Sequence, residues 1–250
     1  MDTRIAEELR IARAIQLSLL PACPVAPGWT FSATYQAARE MSGDFYDFLF
    51  HAMPLGRLEL VIGDVTGKGV PAALMMTHSR AVMRAQAVHA SGPADLLMGT
   101  NRTLTEDSQT RLFLSALYAR LEVASGVVTY ANAGHDRPLL LRRGSAAAAE
   151  LDAPGVILGA FPDIQLEDCV VQLAKGDTLI LYTDGVTEAR NEAGALFGDE
   201  RLAAAALAAN VSDGDATAVS RSIMGAVADF TGGEPQADDL TLVILQRRPD

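Results

Sequence analysis

Apolar and polar residues alternate along this chain in two rhythms, one helical and one strand-like. Residues 3 to 20 carry Ile5, Leu9, Ala12, Ile15 and Leu19 on or near one helical face, with Glu7, Glu8, Arg10 and Arg13 largely opposite. Pro21 and Pro24 end that helix. Trp29 to Gln36 alternates weakly and reads as a strand. Gly43 marks a kink before an aromatic-rich strand from Asp44 to Leu49, whose Phe45, Tyr46 and Phe48 suit a core. Arg57 to Asp64 is expected to pair with it across a short loop around Met53 to Gly56. Pro71 opens a helix running to Val88, with Leu74, Ala81, Val82 and Ala85 at helical spacing; His78 and His89 are assigned to it in structural roles. A second helix spans Pro93 to about Thr105.

Three short runs follow: Phe113–Glu122, Val127–Ala133 and Pro138–Leu141. Their brief connections predict antiparallel pairing, because a parallel crossover needs about a dozen residues or more. His135, between the last two, fits a loop-ordering hydrogen bond, although a ligand or acid role stays open. Ala146 to Ala149 reads as a tolerant loop. Thr178 to Tyr182 forms a strand ending at Thr183-Asp184-Gly185. Helices over Asp199–Ala209 and Asp215–Thr231 precede a last strand, Leu240 to Gln246.

The centre of this pattern is Leu60 to Met76, LVIGDVTGKGVPAALMM. An apolar strand delivers Asp64 into a glycine-rich turn, and the glycines let backbone approach a ligand closely. A plain strand-to-helix turn is the alternative. A phosphate loop is excluded, since the glycines are four apart and Gly69, not Ser or Thr, follows Lys68. Asp44, Asp184 and the pair Asp238-Asp239 sit beside strand ends in the same manner. Four such carboxylates without a His or Cys cluster point to an oxygen-only site for Mg²⁺ or Mn²⁺ and to phosphate-ester hydrolysis.

The remaining features narrow the setting. With 31 acidic against 20 basic residues the net charge is -11, which argues against nucleic acid or an anionic membrane as partner. Cys23 and Cys169 form no metal motif or disulfide framework, and the N-terminus lacks a signal-peptide pattern, so a reduced cytoplasmic location is expected, with no membrane insertion. No composition shift divides the 250 residues into separate cores.

MSGDFYDF, VIGDVTGKGVPAALMM, YANAGHDRPLL, LYTDGVTEARN and DDLTLVIL resemble the successive motifs of the metal-dependent (PPM, type 2C-like) protein phosphatases, in their bacterial SpoIIE/RsbU-like branch. The resemblance runs from about Glu8 to Gln246. It implies an α+β fold, a β-sandwich of two antiparallel sheets flanked by helices, preceded by an N-terminal linker helix. Residues 1–24 would be that linker and regulatory segment, and 25–248 the phosphatase domain. It implies two Mn²⁺ or Mg²⁺ ions held by Asp44, a bridging Asp64, the Val65 carbonyl, Asp184 and Asp238, with Asp239 the alternative to Asp238. Arg39 matches the place of a phosphate-gripping arginine. Relatives carry a His after the bridging Asp, whereas Val65-Thr66 stand here, so the general acid is unassigned. By resemblance the substrate is a phosphorylated STAS-domain anti-sigma-factor antagonist. A homodimer and an upstream sensor or activator acting through the first helix are expected as partners, with that helix ordering the Val65–Pro71 loop. An inactive phosphoprotein-binding scaffold and a hydrolase of small phosphoesters are the alternatives.

Overall fold

The computed structural model describes residues 3–50, 56–107, 112–211 and 214–249; the expected loop from Met53 falls outside them except for Gly56. In chain order the elements are α1 (Thr3–Leu19), β1 (Trp29–Gln36), β2 (Phe45–Phe50), β3 (Arg57–Val65), α2 (Val70–Gln86), α3 (Pro93–Asp107), β4 (Leu114–Glu122) and β5 (Val127–Ala133). There follow β6 (Leu139–Leu141), β7 (Ala148–Glu150), β8 (Cys169–Gln172), β9 (Thr178–Tyr182), α4 (Asp184–Thr187), α5 (Gly198–Val211), α6 (Ala216–Thr231) and β10 (Leu240–Arg247). Two five-stranded sheets form, ordered β1-β10-β9-β6-β7 and β2-β3-β4-β5-β8, and their strand pairs are antiparallel.

The layers follow from side-chain alternation. Along β10, Val243 and Leu245 face the space between the sheets with Leu60, Ile62, Leu179 and Leu181. Leu242 and Ile244 instead pack with Leu202, Val219 and Ile223 of α5 and α6. On the far side, Val61 and Tyr118 meet Met76, Met83, Leu96 and Leu97 of α2 and α3. Burial on both faces explains the unbroken apolar run in β10, where a half-exposed strand would alternate. Asp47 of β2 fixes α2 by accepting two bonds from Arg84, 2.6 and 2.8 Å long. Phe45, Tyr46 and Phe48 are core residues, as expected. Among the described residues no helix is long and apolar enough to cross a membrane.

Three local expectations are corrected, and one strand, β8, was not expected. β6 does not pair with β5; it joins the other sheet between β9 and β7. The switch occurs where Asn132 and His135 exchange bonds, Asn132 Nδ2 donating to the His135 carbonyl at 2.8 Å and the His135 N–H to Asn132 Oδ1 at 2.7 Å. The Ala146–Ala149 tract contributes to edge strand β7. β8 escapes sequence reading because Cys169–Gln172 is a four-residue edge strand without a flanking apolar period. His89 lies in the turn after α2, whose last residue is Gln86.

Candidate metal centre

The two sheets meet at one end through aspartates. Phe45 pairs with Gly63, so Asp44 and Asp64 stand at adjoining strand ends. Gly43 lies so close behind them that a Cβ on it would come within 2.7 Å of the Val65 carbonyl oxygen and 3.4 Å of Asp64 Oδ1. Asp44 is buried and crosses to the other sheet: its Oδ2 accepts from Thr183 Oγ1 at 2.7 Å and from Thr241 Oγ1 at 2.6 Å. Asp184 starts the single turn α4, directly after β9. Gly185 abuts the backbone of the Asp238-Asp239 pair, where a Cβ would fall 1.9 Å from the Asp239 carbonyl oxygen. Only glycine permits that approach, and it brings Asp184 beside the acids that precede β10.

The two members of the acidic pair differ. Asp239 is buried, and its carboxylate accepts the Ala38 N–H at 2.7 Å and the Gly43 N–H at 3.2 Å, so it shapes the loop around Asp44. Asp238 is partly exposed and faces Lys68, whose Nζ lies 2.7 Å from its Oδ2. Arg39 is exposed, and its side chain makes no hydrogen bond or ion pair among the described residues.

Asp64 and Asp184 open onto one cavity of about 590 Å³, lined also by His135, Asp136, Arg137, Glu188 and Asp199. Burial and then the charge of Asp184 raise the Asp64 carboxyl to about 7. Burial and the charge of Asp64 hold Asp44 well above the usual carboxylate range, and burial with Asp238 raises Asp184. Asp136 is lifted to about 6 by burial and by Asp184. His135 is depressed to about 4 by burial, so it is neutral near pH 7, with Nδ1 2.9 Å from Ser115 Oγ.

Among the described residues no three His, Cys, Asp or Glu side chains already stand in a metal-binding group. Each acid has its own partners: hydroxyls donate to Asp44 Oδ2, Lys68 to Asp238 and backbone N–H groups to Asp239. The donor set nevertheless fits a hard divalent cation. It is all oxygen, and Asp44, Asp64 and Asp184 are raised by burial and then by neighbouring acids, a repulsion that a cation would relieve with release of protons.

Sequence reading did not identify Thr183, Thr241 or Lys68 as partners of these acids. Thr183 and Thr241 look like ordinary strand residues, and the partner of Lys68 lies 170 positions away. Gln16 was missed too. Its buried amide donates to the Ser42 carbonyl at 2.7 Å and accepts the Ser42 N–H at 3.2 Å, so α1 docks two residues before Asp44.

Residues 54–248 match the family model described as "Stage II sporulation protein E (SpoIIE)". The chain belongs to the SpoIIE family. It is a protein phosphatase domain of the PP2C (PPM) type, a metal-dependent class. It is 29% identical over 249 residues to phosphoserine phosphatase RsbU of Bacillus subtilis, covering 99% of this chain and 72% of RsbU. It is 30% identical over 270 residues to protein IcfG of Synechocystis, covering 96% of this chain and 41% of IcfG. Among solved structures, the SiaA-PP2C domain of Pseudomonas aeruginosa superposes with a TM-score of 0.83 at 23% identity, covering 97% of both chains. The RsbU and RsbW domains of Rv1364c from Mycobacterium tuberculosis give 0.75 at 29% identity, covering 91% of this chain and 62% of that one.

Proposed function

We propose that this domain dephosphorylates a phosphorylated STAS-type anti-sigma-factor antagonist in cytoplasmic partner-switching signalling, using two Mn²⁺ or Mg²⁺ ions. The observation that carries the proposal is the convergence at one end of the sandwich: Asp44 beside Asp64, and Asp184 beside the Asp238-Asp239 backbone. Asp44, Asp64, the Val65 carbonyl, Asp184 and Asp238 would hold the ions. Asp239 orders the loop around them through Ala38 and Gly43. Bound divalent cations would supply an acidified water and positive charge for the phosphoryl oxygens. The cavity beside Asp64 and Asp184 would admit the phosphoserine, with Arg137 as a cation in its wall; Arg39 is exposed and does not line that cavity, and its phosphate-gripping role rests on the motif alone. His135, neutral near pH 7 and hydrogen-bonded to Ser115, braces the cavity wall.

Residues 1–24 would act as a linker and regulatory segment for the domain at 25–248. α1 buries Gln16, while Ile5, Ile11 and Ile15 remain 48–59% exposed, which suits pairing with a second copy or an upstream helix. The substrate class is supported by the likeness to RsbU, a phosphoserine phosphatase by name.

The test is Mn²⁺-dependent phosphate release from a phosphoserine STAS domain by wild type and Asp64→Asn. Release by wild type and at least a hundredfold loss in the mutant are expected, on the order of metal-site catalysis. A fully active, folded Asp64→Asn protein would remove the site assignment. A small-phosphoester panel run beside it separates a protein phosphatase from a general phosphoesterase.

A further inference from the structure

Lys68 lies in the glycine turn that enters α2, yet its ammonium reaches the other sheet. Nζ donates to Asp238 Oδ2 and to the Ala237 carbonyl, each at 2.7 Å. Gly67 and Gly69 on either side have φ of 92° and 77°, the left-handed region that favours glycine, so the turn is shaped to project this side chain. The other oxygen of Asp238, Oδ1, accepts the Asp239 N–H at 3.0 Å. Both oxygens of Asp238 are therefore engaged. Lys68 also lies within electrostatic range of Asp184.

We infer that Lys68 sets the cation affinity of the Asp184–Asp238 end of the centre by serving as its resident counter-charge. This rests on the reading of Asp238 as a metal ligand. An ammonium hydrogen-bonded to Oδ2 and a divalent ion on the same carboxylate repel each other, so cation binding works against the Lys68 contact. The pair suits displacement, because the two side chains keep 34% and 35% of their surface in solvent and a lysine stem swings freely. A bidentate arginine fork on a buried carboxylate, such as Arg84 on Asp47, would hold that carboxylate far more rigidly. Lys68 thus keeps the acidic end neutralised without an ion and raises the cation concentration needed to fill it.

The experiment is Mn²⁺ titration calorimetry on the full chain at low ionic strength, with thermal unfolding in a chelator alongside. Wild type, Lys68→Gln, Lys68→Arg, Asp238→Asn and the Lys68→Gln/Asp238→Asn double mutant are compared. Lys68→Gln is expected to bind Mn²⁺ roughly two- to fivefold tighter at the Asp238-dependent site, the range for a solvent-exposed ion pair. Its metal-free unfolding midpoint should fall, Lys68→Arg should stay near wild type, and the gain should vanish in the Asp238→Asn background. If Lys68→Gln binds no more tightly while Asp238→Asn binds more weakly than wild type, the role of Lys68 is overturned and the metal centre stands. If Asp238→Asn binds Mn²⁺ as wild type does, the assignment of Asp238 is wrong and the inference falls with it.

Discussion

Oδ2 of Asp44 receives the hydroxyls of Thr183 and Thr241, one from β9's end and one from β10. Two donors on one buried oxygen fix the carboxylate beside Asp64. Thr241→Val keeps the shape and removes one donor. It is expected to cost about 1–3 kcal/mol in denaturant unfolding, the usual loss for a hydrogen bond to a charged or buried group. Mn²⁺ affinity should fall as well. An unchanged midpoint and unchanged affinity would show that the hydroxyl does not hold Asp44. Gly185 is a sharper case, since a methyl there would meet the Asp239 carbonyl oxygen at 1.9 Å and backbone cannot move aside cheaply. Gly185→Ala should separate Asp184 from the acidic pair and lower stability by at least about 3 kcal/mol, at the upper end of overpacking effects. Calorimetry and unfolding on that variant check both.

The elements differ in what they owe to local sequence. β10 and α6 were legible because long apolar periods and an Asp215 cap, which accepts the Ala218 N–H at 2.9 Å, agree with the fold. The four acids were legible as strand-end residues next to glycine or another acid, and the order of the motifs did the rest. The sheet switch of β6 was not, because a three-residue apolar strand carries no mark of its partner. Nor does a glutamine in an amphipathic helix announce that its amide is buried. That amide makes α1 more than a surface helix: Gln16 grips Ser42, Gly43 follows, and Gly43 touches the Val65 carbonyl region. Gln16→Ala is expected to lower the unfolding midpoint by an amount equivalent to about 1–3 kcal/mol and to weaken Mn²⁺ binding through the displaced Ser42–Asp44 segment. Full Mn²⁺ affinity in that variant would limit α1 to a structural or partner-binding role.

At the scale of the molecule, aspartates gather at one end of a chain of net charge -11, where burial and like charges raise Asp64 to about 7 and Asp136 to about 6. Raised carboxylates bind more protons folded than unfolded, so between about pH 4 and pH 7 their contribution to metal-free stability declines as pH rises. His135, held near 4, acts the opposite way between about 4 and 6.5, since the unfolded chain takes up its proton first. A cation needs the ionised carboxylates, so the thermal shift given by Mn²⁺ should grow as pH rises toward about 7. A shift independent of pH would contradict that coupling. The most direct test of the centre is Mn²⁺ binding and phosphate release from a phosphoserine STAS domain, measured together on wild type and Asp184→Asn. Metal-dependent release by the wild type, with binding weakened and release lost in the mutant, is the predicted result. Equal binding and equal release by the two proteins would contradict the centre described here.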